Sequence, residues 1–425
     1  MFTKKEATLK QIYDNTPAIE EIKSASLTTR PEYFETVNIF LEGVRDFSKD
    51  KITPLSGSWD RVGAKFIEGE DGKGGKVILP PGMNEIYSEI ARLGWTGTNI
   101  PQEYEGGAGL GLPTYCALTE FIGRGDASIA IRTSTHDSCA SLISKMASEE
   151  VKDELLPYLA QGKYWGAIAL TEDEGGSNLR GIKTKAKLEG DEWIINGKKK
   201  FISNGGLKNI YIVSANTEKG MSTFIVKGDS LGFDVTGIAD KAGLKASPTA
   251  RITLDNVAIP KEYLLGEEGK GDQNAKDGLI EGRASIAATF TGVGQAALTE
   301  ADDYANGRTQ FGRPIIKFEI IKQYLDEMLK VNSKSRYLYL DAANEIDNKT
   351  PGYLKRAAEA KFFATEASVW TTKTGAQIHG GTGYMTETRA NQLKRDSEAG
   401  ILVEGTSEIQ MHIIMKELKK ANSKK

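Results

Sequence analysis

The chain has 425 residues and a formal net charge of −3, from 55 Lys and Arg against 58 Asp and Glu. This near balance argues against a nucleic-acid-binding protein, which would carry a strongly basic surface. The longest apolar runs, such as residues 166–170, are far shorter than the about 20 residues that cross a bilayer, so we expect no membrane insertion.

The small number of thiol and imidazole side chains limits the possible chemistry. The sequence has two cysteines, Cys116 and Cys139, and three histidines, so we expect neither a metal site nor a disulfide framework. The first ten residues lack the apolar stretch of a signal peptide, and we therefore expect a cytoplasmic protein. Demanding chemistry should then depend on a carboxylate or on a bound organic cofactor.

The first third of the chain has the apolar periodicity of helices. Apolar residues recur at spacings of three and four, which predicts helices at residues 32–48, 82–94, 113–124 and 138–160. Residues 56–80 interrupt this pattern with several glycines, which predicts an exposed loop with a short hairpin.

From about residue 166 to residue 262 the apolar period is two, which is typical of strands. Asn196-Gly197 joins two short apolar runs and predicts a hairpin turn. Further strands are predicted at residues 209–215, 222–227, 233–236 and 249–257. Several short strands of this kind favour a small β-barrel or sandwich over βαβ units.

After Pro260 the helical period returns and continues to the end of the chain, with further helices predicted at residues 353–374 and 407–420. We therefore expect an α+β protein with three domains. These are an N-terminal helical domain (residues 1–165), a middle β-barrel-like domain (residues 166–275) and a C-terminal four-helix bundle (residues 276–425).

Three glycine-containing segments are candidate sites, whereas the nucleotide motifs GxGxxG and GxxxxGK[ST] are not present at the required positions. In ALTEDEGGSN (residues 169–178), a strand ends in a tight turn where Thr171 and Ser177 can hydrogen-bond a flat ligand. An ordinary polar turn is the alternative. In QIHGGTGYMTE (residues 377–387), a helix ends in a glycine-rich loop, which is also common without a ligand.

The third segment, GILVEGTSEIQ (residues 400–410), contains a candidate base. Ser407 and Gln410 fit a capping box at the start of the last helix, with Glu404 just before the cap. The Glu404 carboxylate is either solvated or presented into a cavity, where a raised pKa would let it act as a base.

These segments, together with FISNG (residues 201–205) and RTQFG (residues 308–312), resemble the motifs of the acyl-CoA dehydrogenase family of flavoproteins. The motifs occur in the same order, and the resemblance extends over about residues 35–418. It implies that the protein binds FAD between its β domain and its C-terminal helices, and that it assembles as a homotetramer.

The resemblance also implies which residues contact FAD. Leu170 and Thr171 would meet the pyrimidine edge of the flavin ring, and Phe201, Ile202 and Ser203 would cover its N5 side. The other residues carried over to FAD are Gly176, Ser177, Arg308, Phe311, Gln377, Gly380, Gly381, Thr406 and Glu408.

In the family, a glutamate at the position of Glu404 removes the α-proton of an acyl-CoA thioester. The β-hydrogen leaves as a hydride to flavin N5, which gives a trans-2-enoyl-CoA, and an electron-transferring flavoprotein reoxidises the flavin. The resemblance therefore implies an acyl-CoA dehydrogenase with Glu404 as the catalytic base. The alternatives are a flavin oxidase of the same fold and a non-catalytic relative that keeps the flavin.

Five residues are carried over to the substrate. Ser177 would lie by the thioester and the pantetheine arm, and Arg283 would lie near the active site or else be a surface charge. Val403 is small and would leave room for a branched or cyclic acyl group. Arg132 and Thr135 match the helix that forms the wall of the acyl pocket. Arg132 would pair with an anionic or polar acyl end, or else point to solvent or to a carboxylate of the chain.

Overall fold

The computed structural model describes residues 31–69, 74–207 and 209–422, so residues 1–30 of the predicted N-terminal domain lie outside the described part. Contacts divide the chain into two compact units. The helical unit consists of the described residues within Met1–Gly57, Leu112–Ala127 and Arg283–Lys425. The sheet unit consists of the described residues within Ser58–Gly111 and Ser128–Gly282. This division into two units does not test the three domains predicted from the sequence, and their boundaries stay predictions.

Helices occupy both ends of the described part of the chain. They are α1 (Pro31–Phe47), α2 (Thr53–Val62), α3 (Met83–Arg92), α4 (Gly111–Gly125), α5 (Ala127–Met146), α6 (Glu149–Ala160), α7 (Gly271–Gly307), α8 (Glu319–Asp347), α9 (Tyr353–Ile378), α10 (Arg389–Ser397) and α11 (Ser407–Asn422). A π-helical turn at Ser48–Ile52 joins α1 to α2.

Most of the strands lie in the middle of the chain. They are β1 (Lys65–Glu68), β2 (Gly75–Ile78), β3 (Trp165–Ala169), β4 (Lys185–Glu189), β5 (Glu192–Ser203), β6 (Asn209–Thr217), β7 (Gly220–Lys227), β8 (Phe233–Ile238), β9 (Thr249–Pro260), β10 (Leu264–Leu265), β11 (Thr309–Gln310) and β12 (Arg313–Pro314). The pairs β1–β2 and β11–β12 are separate two-stranded hairpins. The predicted α+β class is confirmed.

The other strands of the described residues form one sheet, whose main path has the order β10-β7-β6-β4-β5-β9-β8. β3 joins this sheet beside that path, running parallel to β6 over residues 209–213, while β4 meets β6 where Lys185 lies opposite Asn216. β6 is buried along most of its length, which explains its nearly continuous apolar sequence.

The core of the sheet unit combines the sheet with α5 and α6. Leu155, Leu156 and Leu159 of α6 belong to the same buried cluster as the inward side chains of β5, β6 and β7. Within it, the rings of Trp193 and Phe224 pack edge to face at 5.1 Å, a favourable arrangement for buried aromatic side chains.

In the helical unit, α4 crosses α7 at two glycines. A Cβ atom at Gly123 would lie 2.5 Å from the carbonyl oxygen of Thr289, and one at Gly292 would lie 2.1 Å from the carbonyl oxygen of Glu120. Both distances are too short for a methyl group, so glycine permits this close packing of the two helices. A separate apolar cluster of this unit contains Leu298, Ala301, Ala305, Leu325, Met328 and Ile378.

The hairpin predicted at Asn196-Gly197 is wrong. β5 continues through both residues, and its register with β9 shifts after Ile195, as in a β-bulge. Asn196 Nδ2 donates to Asn256 Oδ1 (3.1 Å), and Asn196 Oδ1 accepts from the Asn256 N–H (2.8 Å). A Cβ atom at Gly197 would lie 2.3 Å from Thr184 Oγ1. The glycine therefore permits the close approach of Thr184, just before β4, to β5, and does not form a turn.

Two helix predictions also differ from the structure. α2 occupies part of the predicted loop at residues 56–80, although the predicted short hairpin follows it as β1 and β2. The helix predicted at residues 138–160 is two helices, because Ser148 Oγ accepts a hydrogen bond from the Val151 N–H (3.4 Å) and caps the start of α6.

The other predicted elements are confirmed. The predicted strands lie within β6, β7, β8 and β9, and the last two predicted helices lie within α9 and α11. None of the helices in the described part of the chain combines the length and hydrophobicity needed to cross a membrane.

Each unit contains one buried cysteine. Cys116 lies on α4 in the helical unit, Cys139 lies on α5 in the sheet unit, and neither forms a disulfide. Burial raises the pKa of the Cys139 thiol to about 12.

Candidate active site

Glu404 lies in the turn between α10 and α11, with its backbone in the left-handed region. Its φ is 52°, and the following Gly405 has a φ of 92°. Gln410 of α11 holds this turn, because its Nε2 donates to the carbonyl oxygens of Glu404 (3.0 Å) and Gly405 (2.8 Å). A non-glycine residue in this region is strained, so these contacts fix the backbone that carries the carboxylate.

Burial and two cations determine the acidity of Glu404. The side chain is half-buried. Its burial raises the pKa of the carboxyl group, while the charges of Arg283 and Lys361 act to lower it, and the net pKa lies above the ordinary value of 4.5. A raised pKa makes Glu404 a stronger base than an exposed glutamate. Its presentation into a cavity stays a prediction.

Arg283 lies on α7 and is only 6% exposed, so its interpretation as a surface charge is wrong. Burial lowers the pKa of its guanidinium, and the charge of Glu404 acts to raise it. Arg283 Nε is buried without a hydrogen-bond partner among the described residues.

Lys361 on α9 is the second cation that acts on Glu404, and the sequence analysis did not identify it. Its side chain is fully buried, and its Nζ has no hydrogen-bond partner in the described part of the chain. Burial lowers the pKa of this amine to about 8, although Glu404 acts to raise it. One signal could have found it: the buried Ala357 and Ala364 flank Lys361 at helical spacing, which places it on the buried face.

In the sheet unit, the turn after β3 is tied to β5. The Lys200 N–H donates to the carbonyl oxygen of Thr171 (2.9 Å), and the Glu172 N–H donates to that of Gly175 (2.8 Å). The Glu172 carboxylate forms a buried ion pair with Lys199 Nζ at 2.6 Å. This turn and β5 are thus held together by main-chain and side-chain contacts.

β5 presents Phe201 outward. Its register with β9 shifts between Lys199 and Ile202, and Phe201 lies at a φ of 58° with its side chain 58% exposed. Ile202 is buried in the core and Ser203 is half-buried. The bulge therefore places an aromatic ring at the surface, next to the turn at Thr171.

These features fit the flavin ring that the resemblance implies. A flat, polycyclic ligand needs an open apolar surface and hydrogen-bonding groups near its edge. Phe201 offers the surface, and the hydroxyl groups of Thr171 and Ser203 form no hydrogen bond among the described residues. Gly176 and Ser177 are exposed on the same turn, and Leu170 is half-buried.

In the helical unit, Arg308 and Phe311 are exposed around the β11–β12 hairpin. Phe311 has a φ of 52° and is 92% exposed, with its ring edge-on to Phe318 at 6.1 Å. Gln377, Gly380 and Gly381 are exposed at the end of α9. This leaves all five groups accessible to a ligand or a partner.

The cap of α11 differs from the prediction. Thr406 Oγ1, and not Ser407, accepts a hydrogen bond from the main chain, from the Ile409 N–H at 3.4 Å. Ser407 Oγ instead donates to Glu366 of α9 (2.6 Å). Hydrogen bonding with Thr406 lowers the pKa of the exposed Glu408.

Arg132 of α5 is buried in the sheet unit at 4% exposure, so it does not point to solvent. Its guanidinium lies between two aromatic rings, 3.7 Å from the centre of Tyr87 and 4.2 Å from that of Trp165, as in cation–π contacts. Burial lowers the pKa of this guanidinium to about 10, and Tyr87, not a carboxylate, acts to raise it among the described residues. Thr135, one turn along, donates to the carbonyl oxygen of Ile131 (2.9 Å).

His136 packs beside this cation. Its Nδ1 accepts from the Gly166 N–H (3.1 Å), which leaves the proton on Nε2, 3.1 Å from the carbonyl oxygen of Thr96. Burial lowers the pKa of this imidazole to about 4, and the charge of Arg132 adds to the effect while the bond to Thr96 opposes it.

The structure thus gathers two separate groups of candidate residues. In the helical unit, Glu404 interacts electrostatically with Arg283, next to the half-buried Val403. In the sheet unit, Lys199 Nζ donates to the carbonyl oxygen of Leu170 and the Lys200 N–H donates to that of Thr171, which ties both residues to β5 just before the Phe201–Ser203 segment. The described contacts do not join Arg308, Phe311 or Gln377 to either group.

Three family models match the chain. They are the acyl-CoA dehydrogenase N-terminal domain at residues 35–163, the middle domain at residues 167–257 and the C-terminal domain at residues 269–419.

Individual proteins give the same result. An acyl-CoA dehydrogenase of Bacillus subtilis is 36% identical, covering 88% of this chain and 96% of its own. The structure of butyryl-CoA dehydrogenase from Megasphaera elsdenii has a TM-score of 0.83 at 32% identity, covering 92% of this chain and 99% of its own. A glutaryl-CoA dehydrogenase from Mycobacterium smegmatis in complex with FADH2 has a TM-score of 0.80 at 27% identity, covering 90% and 94%. This chain therefore belongs to the acyl-CoA dehydrogenase family, whose members are flavin-dependent oxidoreductases.

Proposed function

We propose that the protein is an FAD-dependent dehydrogenase that introduces an α,β double bond into an acyl-CoA thioester. One observation carries the proposal: Glu404 combines a strained, fixed backbone with a raised pKa at the position that the family uses for its base. The similarity to butyryl-CoA and glutaryl-CoA dehydrogenases supports an acyl-CoA substrate.

Glu404 removes the α-proton of the thioester. This proton is weakly acidic, so its removal needs a positioned base with a raised pKa. When bound, FAD would supply the acceptor for the β-hydrogen, which leaves as a hydride. The charges of Arg283 and Lys361 act to lower the pKa of Glu404 and so favour its carboxylate form.

The residues that hold FAD in this proposal are those carried over from the family. Leu170 and Thr171 would contact the pyrimidine edge of the ring, and Phe201, Ile202 and Ser203 would cover its N5 side. The other carried-over residues would bind the rest of the molecule. The exposed Phe311 on a left-handed backbone supports a contact beyond its own hairpin. We further propose a homotetramer in the cytoplasm, with an electron-transferring flavoprotein as acceptor.

The test is an anaerobic titration of the purified protein with acyl-CoAs, followed at the flavin absorbance band. The panel contains straight-chain, branched, cyclic and dicarboxylic members. The small Val403 motivates the branched and cyclic ones, and the buried Arg132 motivates the dicarboxylic ones. We expect one class to bleach the band.

The other outcomes separate the rival functions. A flavin that bleaches but is rapidly reoxidised by air would indicate an oxidase. A yellow protein that no acyl-CoA bleaches would indicate a non-catalytic flavoprotein, and a protein without FAD affinity would reject the whole proposal.

A further inference from the structure

We propose that Lys199 and Glu172, a buried ion pair of the sheet unit, are positioning residues for the flavin ring. This inference rests on the proposed function. Neither side chain touches the ring. The ion pair fixes the turn at Leu170-Thr171 against β5, and this sets the distance between that turn and the Phe201–Ser203 segment, the two parts of the chain proposed to contact the ring.

The Glu172 carboxylate collects four donors. Oε1 accepts from Lys199 Nζ (2.6 Å), Thr184 Oγ1 (2.5 Å) and the Thr184 N–H (3.1 Å), and Oε2 accepts from the Lys183 N–H. Although burial acts to raise its pKa, these hydrogen bonds hold the pKa of Glu172 below its ordinary value. The carboxylate is therefore ionised at neutral pH and held by four hydrogen bonds.

Lys199 connects this carboxylate to the turn. Besides Glu172, its Nζ donates to the carbonyl oxygen of Leu170 at 3.2 Å. The next residue, Lys200, continues the connection through its N–H, which donates to the carbonyl oxygen of Thr171. One side chain and one main-chain group thus hold both residues that are proposed to meet the pyrimidine edge.

The same lysine is the last residue of β5 to pair with β9 before the bulge that turns Phe201 outward. Lys199 pairs with Ile252 of β9, and the register shifts immediately after it, up to Ile202. The ion pair therefore lies between the two segments proposed to contact the ring, 170–171 and 201–203, and sets their separation.

A stability role alone does not account for such a pair. The Lys199 and Glu172 side chains are 0% and 3% exposed, and desolvation offsets much of the attraction between buried charges. Removing one partner, however, leaves the other uncompensated, so the network requires both charges. Its net effect is to specify one conformation of the turn.

An exposed lysine pair elsewhere in the sheet unit provides a matched control. Lys261 Nζ lies 2.6 Å from Asp191 Oδ1, and the two side chains are 53% and 85% exposed. This pair lies at the surface, where ion pairs contribute little, and it contacts neither of the segments proposed to meet the ring.

The experiment measures FAD affinity by titrating apo-protein with FAD, and records the absorption spectrum of the bound flavin. We expect Lys199→Met to weaken FAD binding by about tenfold or more, because a buried carboxylate and a carbonyl oxygen lose their donor. The flavin band should also shift. Lys199→Arg should recover part of both properties, and Lys261→Met should match the wild type.

A double variant distinguishes the loss of positioning from misfolding caused by an uncompensated buried charge. Glu172→Gln/Lys199→Met contains no uncompensated charge, yet Leu170 still lacks its donor, so we expect FAD affinity to stay below that of the wild type. Wild-type affinity and spectrum in the folded single variant Lys199→Met, or in the folded double variant, would overturn the inference while the proposed function stood. A wild-type protein without FAD affinity would instead reject the proposed function.

Discussion

Three residues proposed for the site share a backbone conformation that side chains rarely adopt. Glu404, Phe201 and Phe311 all have φ between 52° and 58°. Each such residue costs on the order of 1–3 kcal/mol, and persists only where its surroundings enforce it. Strain retained at these positions is consistent with selection for the placement of a carboxylate and two aromatic rings.

Replacing Glu404 with Gln should abolish its role as a base with little change in shape. We expect the variant to keep FAD, while the rate of flavin reduction by acyl-CoA falls about 10²- to 10⁴-fold. Stopped-flow absorbance measures this rate. The exposed Glu398→Gln is the control, and near-normal reduction in Glu404→Gln would exclude it as the base.

Lys361 should affect the same step through charge. Because its cation lowers the pKa of Glu404, Lys361→Met should raise that pKa and move the acidic limb of the pH–rate profile to higher pH. Lys361→Arg should retain the wild-type limb. Lys355→Met, which breaks a partly exposed pair with Glu359 on the same helix, should not move it, and an unmoved limb in Lys361→Met would contradict the electrostatic role.

His136 should make the protein sensitive to acid. Its pKa falls from 6.5 to about 4 on folding, so the unfolded chain takes up the proton first. The contribution of the neutral His136 imidazole to the stability of the folded protein is therefore complete above about pH 6.5. It decreases as the pH falls towards 4, by about 3 kcal/mol in total. Urea unfolding across this range should show a shallower loss for His136→Gln than for the wild type; equal slopes would refute the assignment.

At the scale of helices and strands, the spacing of apolar residues predicts the structure well where buried residues recur at the regular period of a strand or a helix. The strands now numbered β6 to β9 and the helices α9 and α11 were predictable for this reason. The turn rule fails at Asn196-Gly197 because this glycine is required by the approach of Thr184, which lies outside the four residues of a turn and just before β4. A short-range turn rule contains no information about such a neighbour.

The close contact between α4 and α7 at Gly292 gives a prediction about stability. Gly292→Ala places a methyl group against the carbonyl oxygen of Glu120 and should lower the free energy of unfolding by about 1–3 kcal/mol. Gly307→Ala, on the same helix with nothing within 4 Å, should leave it unchanged or slightly higher. Chemical denaturation measures both, and equal effects would mean that the contact is relieved by a small helix shift.

At the scale of the whole molecule, the motif order was enough to predict the α+β class and the family. The candidate base and the flavin turn followed from the same motifs. Lys361 and the Glu172–Lys199 pair did not, because their importance arises from burial and from contacts between distant segments. The sequence shows which residues are charged, but it does not show which charged side chains are buried next to one another.

The two cysteines offer a way to follow the two units independently. Each unit has one thiol, both are buried, and a thiol reacts as the exposed thiolate. An alkylating reagent should therefore modify Cys116 only when the helical unit opens, and Cys139 only when the sheet unit opens. Peptide mass spectrometry distinguishes the two sites, so one time course yields two opening rates. Equal rates at every urea concentration would show that the two units open cooperatively; unequal rates would identify the unit that opens first.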